Sequence, residues 1–433
     1  MLGPLQRHVQ IATRRGHVVG RRDFLRYAGA ASVAAAGMSW TERIAAAADE
    51  MRSRGMACIL LWMQGGPSQF ETFSPKVHSP NGGETKEIDT NVAGIRYSEN
   101  LPHLANVANE LAVIRSMTSK EGNHQRATYL LHHGYLPLGG VKHPTLGANV
   151  AHQIGDAAAQ LPSYVRIGGR LANAGGGGLL GVEYDPLVLG SANRPPDNTR
   201  ATTGMNRFER RLGLLNSLQA EFAAAGGAQA VKDRSLLVRR AAEMMRSPDM
   251  EAFDLSQETA TEREAYGAGE FAAGCHMARR LVERGVTFVE VVSNGWDTHQ
   301  DNFEKVNQLC GQIDQPAARL IADLKQRGML DRTLVVWMGE FGRTPKINPR
   351  AGRDHYPRAF NVALAGGGVR GGQVIGKTDL AGVDVTDRPV QVVDLFRSVY
   401  HALGIDPEVE NMSSIGRPIK LVDGGEVISE LFA

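Results

Sequence analysis

Apolar residues along the chain fall into short runs that end at polar, glycine-rich loops. Residues 334–338 form one such run, which fits a buried strand and is followed by a glycine and Glu340. Residues 288–292 form a second run, and the loop after it carries Asp297 and His299. In open α/β sheets, ligands bind beyond the carboxyl ends of the strands. Both loops are therefore candidate parts of one site.

The same pattern predicts the fold class. A long helix-periodic segment at 302–327 separates the two runs, and a strand–helix–strand crossover favours parallel pairing. We predict an α/β protein with a mixed, mostly parallel sheet sandwiched between helices, in which 286–293 and 333–338 are neighbouring strands. Other strand-like runs lie at 56–62, 110–116, 164–168, 360–365 and 373–376, and helical segments lie at 123–134 and 390–403. Charged, alanine-rich helical periodicity from about 191 to 274 predicts a helical insertion.

The first 48 residues are predicted to be a signal peptide. Arg21 and Arg22 precede Phe24 and Leu25, a weakly apolar run covers 28–40, and four alanines end at Ala48. This order is typical of a secretory signal, and the twin arginines indicate the Tat export machinery as a partner. We expect a periplasmic or otherwise exported protein whose mature α/β domain is 49–433. The apolar run is too short for a stable membrane span.

Charge and cysteine content narrow the function classes. The formal net charge is +2, so nothing in the composition indicates a nucleic-acid partner. The three cysteines are far apart and lie in apolar or helical patterns, which predicts buried free thiols.

Acids and histidines at the two strand ends predict a metal site. Asp297 and His299 are two residues apart in an extended segment, so they face the same side. Glu340 follows the other strand, and Asp354 and His355 lie on the loop after it. Carboxylates and imidazoles together suit a divalent ion such as zinc, manganese or calcium. Clustered carboxylates require a compensating cation or proton. Nearby arginines are the alternative to a metal: Arg126, Arg343 and Arg353.

A predicted helix provides the opposite wall of this site. It starts at His124 and Arg126, and a helix N-terminus attracts anions. Arg126 could hold an oxyanion through two hydrogen bonds, so both residues are predicted to be catalytic. Three nearby hydroxyl groups are candidate nucleophiles or, alternatively, helix caps: Ser116, Thr118 and Ser119.

Four strings carry a family resemblance: GGPSQFETFSPK at 65–76, GNHQRATYLLHHGY at 122–135, NGWDTHQDN at 294–302 and GEFGRTPKIN…GRDHYP at 339–357. They are similar to the uncharacterised bacterial family called domain of unknown function 1501, which is abundant in planctomycetes and often carries a Tat signal. That family is placed in the alkaline phosphatase–sulfatase superfamily. The resemblance implies a sheet flanked by helices, a site for one or two metals, and hydrolysis of sulfate or phosphate esters of small molecules or glycans.

The sequence also departs from the superfamily pattern. Phe341 stands where a histidine ligand is usual, and Gln64, Gly65 and Gly66 replace an aspartate after the first strand. No cysteine is present at the start of the 123–134 helix, so formylglycine chemistry is not expected. Two alternatives to a hydrolase therefore stay open. One is a catalytically impaired protein that binds an anion or glycan, and the other is a structural cell-envelope component that uses the helical insertion as its contact surface.

Overall fold

The computed structural model describes residues 12–13, 17–18 and 55–433, the last range without 138–139, 157, 198, 200–203 and 414–415. The twin arginines and the predicted cleavage point near Ala48 lie outside the described residues. Ala12–Thr13 and His17–Val18 pair as two short antiparallel strands. In the described part of the chain, no helix is both long enough and apolar enough to cross a membrane.

A nine-stranded sheet forms the centre of the molecule. Its strands in chain order are β1 Ala57–Met63, β2 Leu111–Thr118, β3 Tyr164–Ile167, β4 Leu187–Leu189, β5 Phe288–Ser293, β6 Thr333–Met338, β7 Phe360–Ala365, β8 Gln373–Ile375 and β9 Val390–Gln391. The spatial order is β8-β2-β7-β6-β1-β5-β3-β4, and β9 also pairs with β2. All seven residues of β1 are buried, which fits a central strand covered on both faces.

Strand direction confirms the predicted mixed, mostly parallel sheet. Among these nine strands, only β7 runs against its neighbours β2 and β6. The expectation that β5 and β6 are neighbours is wrong, because β1 lies between them and pairs in parallel with both. The apolar β1 can be buried on both faces at this central position, whereas the crossover helix between β5 and β6 spans one extra strand. Both carboxyl ends still point to the same edge of the sheet.

Helices cover both faces of the sheet. They are α1 Pro102–Ala105, α2 His124–His133, α3 Leu146–Ile154, α4 Met205–Phe222, α5 Ala228–Arg246, α6 Ala260–Ala265, α7 Glu270–Glu283, α8 Asn302–Gln326 and α9 Val392–Ala402. Apolar residues of α7 and α8 pack on one face, and those of α2, α3 and α9 pack on the other. α8 continues through Pro316. Cys58, Cys275 and Cys310 are buried free thiols, as predicted.

Besides the N-terminal pair, four two-stranded ribbons of the described residues lie outside the sheet: Glu87–Asp89 with Arg96–Ser98, Gly342–Arg343 with His355–Tyr356, Lys377–Thr378 with Val385–Asp387, and Glu410–Met412 with Pro418–Lys420. Within the predicted insertion at 191–274, the long helices α4 and α5 form an antiparallel hairpin.

Candidate metal centre

The loop after β5 presents two side chains to solvent and buries two others. Trp296 is fully buried, and its indole Nε1 donates to Ser293 Oγ at 3.0 Å. Thr298 is also fully buried and donates to Asn302 Oδ1. Because side chains alternate along an extended segment, Asp297 and His299 point outward together. The sequence thus fixes the orientation of both groups through their buried neighbours.

The start of α2 positions His124. Asn123 is extended and accepts hydrogen bonds from the backbone N–H groups of Gln125 and Arg126, as an N-cap residue does. His124 is therefore the first residue of the helix, and its imidazole lies against Phe341 and His355.

The ribbon of 342–343 with 355–356 places His355 directly opposite Arg343. A fully buried ion pair anchors the loop between the two strands, because Arg353 donates through Nε and a terminal nitrogen to Glu71 Oε1 at 3.1 and 2.8 Å. The guanidinium also donates to three backbone carbonyl groups. This buried pair keeps the His355 loop folded back over the sheet edge.

Three imidazoles converge on one carboxylate oxygen. The Nε2 atoms of His124, His299 and His355 lie 3.3, 3.1 and 3.2 Å from Asp297 Oδ1. The Nε2 atoms of His299 and His355 are 2.9 Å apart. The ligand atoms of His124, Asp297 and His355 all lie within 4.8 Å of one another.

The other nitrogen of each imidazole has an acceptor of its own. Nδ1 of His124 is 2.7 Å from Glu340 Oε1, and Nδ1 of His299 is 2.7 Å from Asp354 Oδ1. Nδ1 of His355 is 2.8 Å from the carbonyl oxygen of Gly122. A proton on each Nδ1 leaves the three Nε2 lone pairs free. Metal-binding histidines are commonly oriented in this way by a carboxylate or a carbonyl group.

Glu340 is fully buried behind His124. Its two carboxylate oxygens accept from the backbone N–H of Gly65 at 3.0 and 3.1 Å. Gly65 has φ of +117°, and a Cβ there would lie 2.4 Å from the backbone nitrogen of Asp297. Only glycine allows the loop after β1 to approach both Glu340 and Asp297 so closely.

Arg343 is a fixed cation beside the site. It is fully buried, donates to Asp297 Oδ1 at 2.6 Å, and also donates to backbone carbonyl groups, including that of Gly66. Burial opposes ionisation of Asp297, but the hydrogen bond and charge of Arg343 hold the pKa of this carboxyl at about 2. Asp297 is therefore a carboxylate at neutral pH.

The histidines respond differently to their surroundings. The hydrogen bond to Glu340 raises the pKa of His124, whereas burial lowers the pKa of His355. The cluster is open to solvent, since the side chain of Asp297 is 45% exposed and that of His299 is 33% exposed.

These residues fit a divalent metal. Tetrahedral zinc with ligands at about 2.0–2.2 Å needs donor atoms roughly 3.3 Å apart, close to the distances from the Nε2 atoms to Asp297 Oδ1. The ligand atoms of His124, Asp297 and His355 are close enough to share one ion, and Nε2 of His299 adjoins the last two of them. Nε2 of His124 is buried and has no hydrogen-bond partner within the described residues. Arg343 compensates part of the negative charge of Asp297, but it donates no hydrogen bond to the Nε2 atoms of the imidazoles.

The predicted site residues divide into three groups. Asp297, His299 and His355 lie together, and His124, predicted to face them as a catalytic residue, lies among them. Glu340 and Asp354 contact the histidines from behind and lie away from the common point. Arg126 is exposed, and its guanidinium donates to both carboxylate oxygens of Glu121 at 2.8 and 2.9 Å.

Sequence reasoning missed several supports of the centre. Glu71, the carbonyl of Gly122 and the backbone N–H of Gly65 are each more than 200 residues away in the chain from the group that they bind, and no local pattern marks them. The signal for His124 was present in Asn123, because an Asn before a helical segment indicates that the next residue starts the helix.

Comparison with models of known protein families identifies the family of this chain. The family model described as "Protein of unknown function (DUF1501)" matches residues 56–432. The chain belongs to this family. The matched region contains every residue of the DUF1501 chain's histidine cluster and its supports. No curated protein sequence matches the chain.

Three solved structures are similar to this DUF1501 chain at low identity. A sulfatase from Pseudoalteromonas sp. is 12% identical with a TM-score of 0.38, over 93% of this chain and 76% of that one. The lipoteichoic acid synthase LtaP from Listeria monocytogenes is 10% identical with a TM-score of 0.38, over 86% and 75%. A phosphonate monoester hydrolase from Silicibacter pomeroyi is 13% identical with a TM-score of 0.33, over 87% and 76%.

Proposed function

We propose that the protein is a metal-dependent hydrolase of sulfate or phosphate esters that is exported through the Tat pathway. The observation that carries the proposal is the convergence of three Nε2 atoms on Asp297 Oδ1, each imidazole being held from behind by its own acceptor. The superfamily resemblance of the strings around these residues supports the same chemistry.

A zinc, manganese or calcium ion would be held by His124, Asp297, His299 and His355. When bound, such an ion lowers the pKa of a water molecule and withdraws charge from an ester oxygen. The chain contributes orientation and charge. Glu340 and Asp354 fix two of the imidazoles, and Arg343 keeps Asp297 ionised.

The hydroxyl groups proposed as nucleophiles are engaged elsewhere. Ser116 is buried and donates to the carbonyl of Arg388 at 2.6 Å, and Thr118 donates to the carbonyl of Val390. Oγ of Ser119 accepts from the backbone N–H of Glu121. We therefore propose water as the nucleophile, and a substrate large enough to use an open surface, such as a glycan ester, fits the exposure of Asp297.

A turnover assay tests the proposal. The purified mature protein, loaded in turn with zinc, manganese and calcium, is assayed on aryl sulfates and aryl phosphates. We expect one metal and one ester class to give turnover, and the His355→Ala variant to lose it by at least about 100-fold. Absence of turnover with every metal and both ester classes would contradict the hydrolase proposal.

One observation favours a second candidate, an anion- or glycan-binding protein with impaired chemistry. Phe341 stands where the superfamily places a histidine ligand, and Gln64, Gly65 and Gly66 replace its aspartate after the first strand. Metal-dependent binding of a sulfated glycan without turnover would favour this second function.

Export has its own test. Protein isolated from the native host should have an N-terminus near Asp49 and should be found outside the cytoplasm. An intact Met1 in a cytosolic fraction would contradict the proposed Tat signal.

A further inference from the structure

The helical hairpin α4–α5, residues 205–246, forms an arm whose second helix lies along the body, because Gln229 and Asp233 line a cleft together with residues of the body. Ala242 and Met244, near the end of α5, are buried. Arg246 pairs with Glu209 at this end, and Ser235 of α5 donates to Gln219 of α4 at 3.0 Å. The helices join at Ala223–Gly227, where Gly226 has φ of +103°. This junction is the tip of the arm.

Exposed apolar side chains concentrate on the arm. Within the described residues, six large apolar side chains are strongly exposed, and the arm carries four of them. Leu214, Leu218 and Phe222 are 62%, 63% and 60% exposed, and Leu237 is 47% exposed. The first three are four residues apart along α4, so they share one helix face. Such a stripe costs solvation free energy unless another surface covers it.

Charge along the arm is sharply divided. Residues 212–231, which surround the tip, contain a single charged residue, Glu221. The rest of the arm contains eight Lys and Arg residues and three acids, so the arm as a whole carries a net charge of +4. The basic residues are Arg207, Arg210, Arg211, Lys232, Arg234, Arg239, Arg240 and Arg246, and all are exposed. The arm is therefore more positive than the whole chain, which has a net charge of +2.

The positions of these charges define a collar behind the tip. At 1.5 Å per helical residue, Lys232 on α5 lies about 10 Å from the tip and Arg211 on α4 lies about 20 Å from it. An amphipathic helix at a bilayer surface buries its apolar face by about 5–10 Å, with Lys and Arg at the level of the phosphates. The exposed apolar face of α4 and the basic residues of the collar fit that arrangement.

We propose that the arm docks on the surface of a lipid bilayer that contains anionic phospholipid. The exposed apolar face of α4 enters the interface between headgroups and acyl chains, and the collar binds lipid phosphates. Positive charge on the arm repels the arm of a second copy, which disfavours a four-helix bundle between two chains. The proposal does not depend on metal binding or on turnover, because the arm carries none of the cluster residues.

Vesicle sedimentation tests the proposal. The mature protein is mixed with vesicles of phosphatidylcholine alone or with phosphatidylglycerol added. We expect binding to the anionic vesicles that weakens at high salt, and little binding to the neutral ones. The variant Leu214→Ser/Leu218→Ser/Phe222→Ser should lose binding, and Arg210→Gln/Arg211→Gln should bind about tenfold or more weakly.

A matched control is available in Leu380→Ser, since Leu380 is 88% exposed and lies outside the arm. This variant should bind as the wild type does. Circular dichroism and thermal melting report whether each variant folds. If the triple variant unfolds, the vesicle binding of the arginine variant tests the proposal instead. Its substituted side chains are exposed, so we expect it to fold. Absence of binding, or equal binding to neutral vesicles, would overturn the proposal. So would self-association that the triple variant abolishes, because it would identify a second copy as the occupant.

Discussion

Helix α2 carries a histidine into each of two clusters that contain a carboxylate and an arginine. Near its end, His132 lies 2.9 Å from Glu290, which also accepts from Arg166 at 2.7 Å and from Tyr164 at 2.8 Å. All four side chains are buried. At its start, His124 joins the cluster around Asp297, where the side chains are 25–45% exposed.

The difference between the clusters lies in how charge and lone pairs are satisfied. Both oxygens of Glu290 and both nitrogens of His132 have partners within the chain. Around Asp297, three Nε2 atoms crowd one oxygen, and that of His124 has no hydrogen-bond partner in the described part of the chain. A buried cluster in which every polar atom is paired stabilises the fold. An open cluster with converging lone pairs is suited to bind a metal cation. Similar residue types therefore serve different purposes.

The largest expected effect is on the buried cluster. Glu290→Gln leaves Arg166 buried without a negative partner, and breaking a buried ion pair costs about 3–5 kcal/mol. The free energy of unfolding, measured with denaturant, should fall by about this amount. Asp354→Asn, beside the open cluster and without added metal, is the control and should cost much less, because Asp354 and its partner His299 are both partly exposed to solvent. Equal losses in the two variants would remove the contrast between the clusters.

A second effect concerns the groups behind the histidines. Glu340→Gln and Asp354→Asn change residues that orient His124 and His299 but do not reach the common point. Loss of such partners typically weakens metal affinity by about 10–100-fold. Titration calorimetry with zinc measures this directly. His132→Gln, in the buried cluster, is the control and should leave affinity unchanged in folded protein. Unchanged affinity in both orienting variants would contradict the assigned arrangement.

The buried cluster also predicts a pH dependence. Burial opposes ionisation of Glu290, but the charges of Arg166 and His132 hold its pKa at about 2. An unfolded Glu titrates near about 4.3, so the stabilisation is present above that pH and is lost as pH falls towards 2. The stability gap between wild type and Glu290→Gln should therefore narrow between pH 5 and pH 3, as followed by denaturant unfolding. A gap that stays constant would contradict this account.

The smallest expected effect is at Arg126. Its guanidinium is exposed and bonded to Glu121, so it has to exchange that partner to hold an anionic ester. Arg126→Ala should raise KM by about threefold without changing kcat, because exposed ion pairs are weak. Glu121→Gln, which frees the guanidinium, should lower KM. If neither variant changes KM, Arg126 has no part in the site.

The sequence alone was sufficient to predict features that depend on the local periodicity of apolar and polar residues. The apolar runs located β1, β5 and β6, and the alternation around Trp296 placed Asp297 and His299 on one side. Acids and histidines after two strands indicated the edge at which they meet. These features depend on residues close together in the chain.

Other features depend on residues far apart in the chain. The order of strands puts β1 between β5 and β6, and periodicity contains no information about that order. Glu340 forms hydrogen bonds with Gly65 and His124, because the loop after β1 folds against it. Its carboxylate therefore faces inward. The sequence placed Glu340 correctly at the strand end and could not show which way it turns.

The central claim is that three histidines and Asp297 form one metal centre. The most direct measurement is the metal content of the purified mature protein after incubation with zinc and dialysis, with thermal stability recorded on the same samples. We predict about one equivalent of zinc and a raised Tm, because a ligand that binds only the folded state stabilises it. Both should be lost in His299→Ala and Asp297→Ala and kept in His132→Gln. Wild-type protein that retains no zinc, manganese or calcium and shows no change in Tm would contradict the claim.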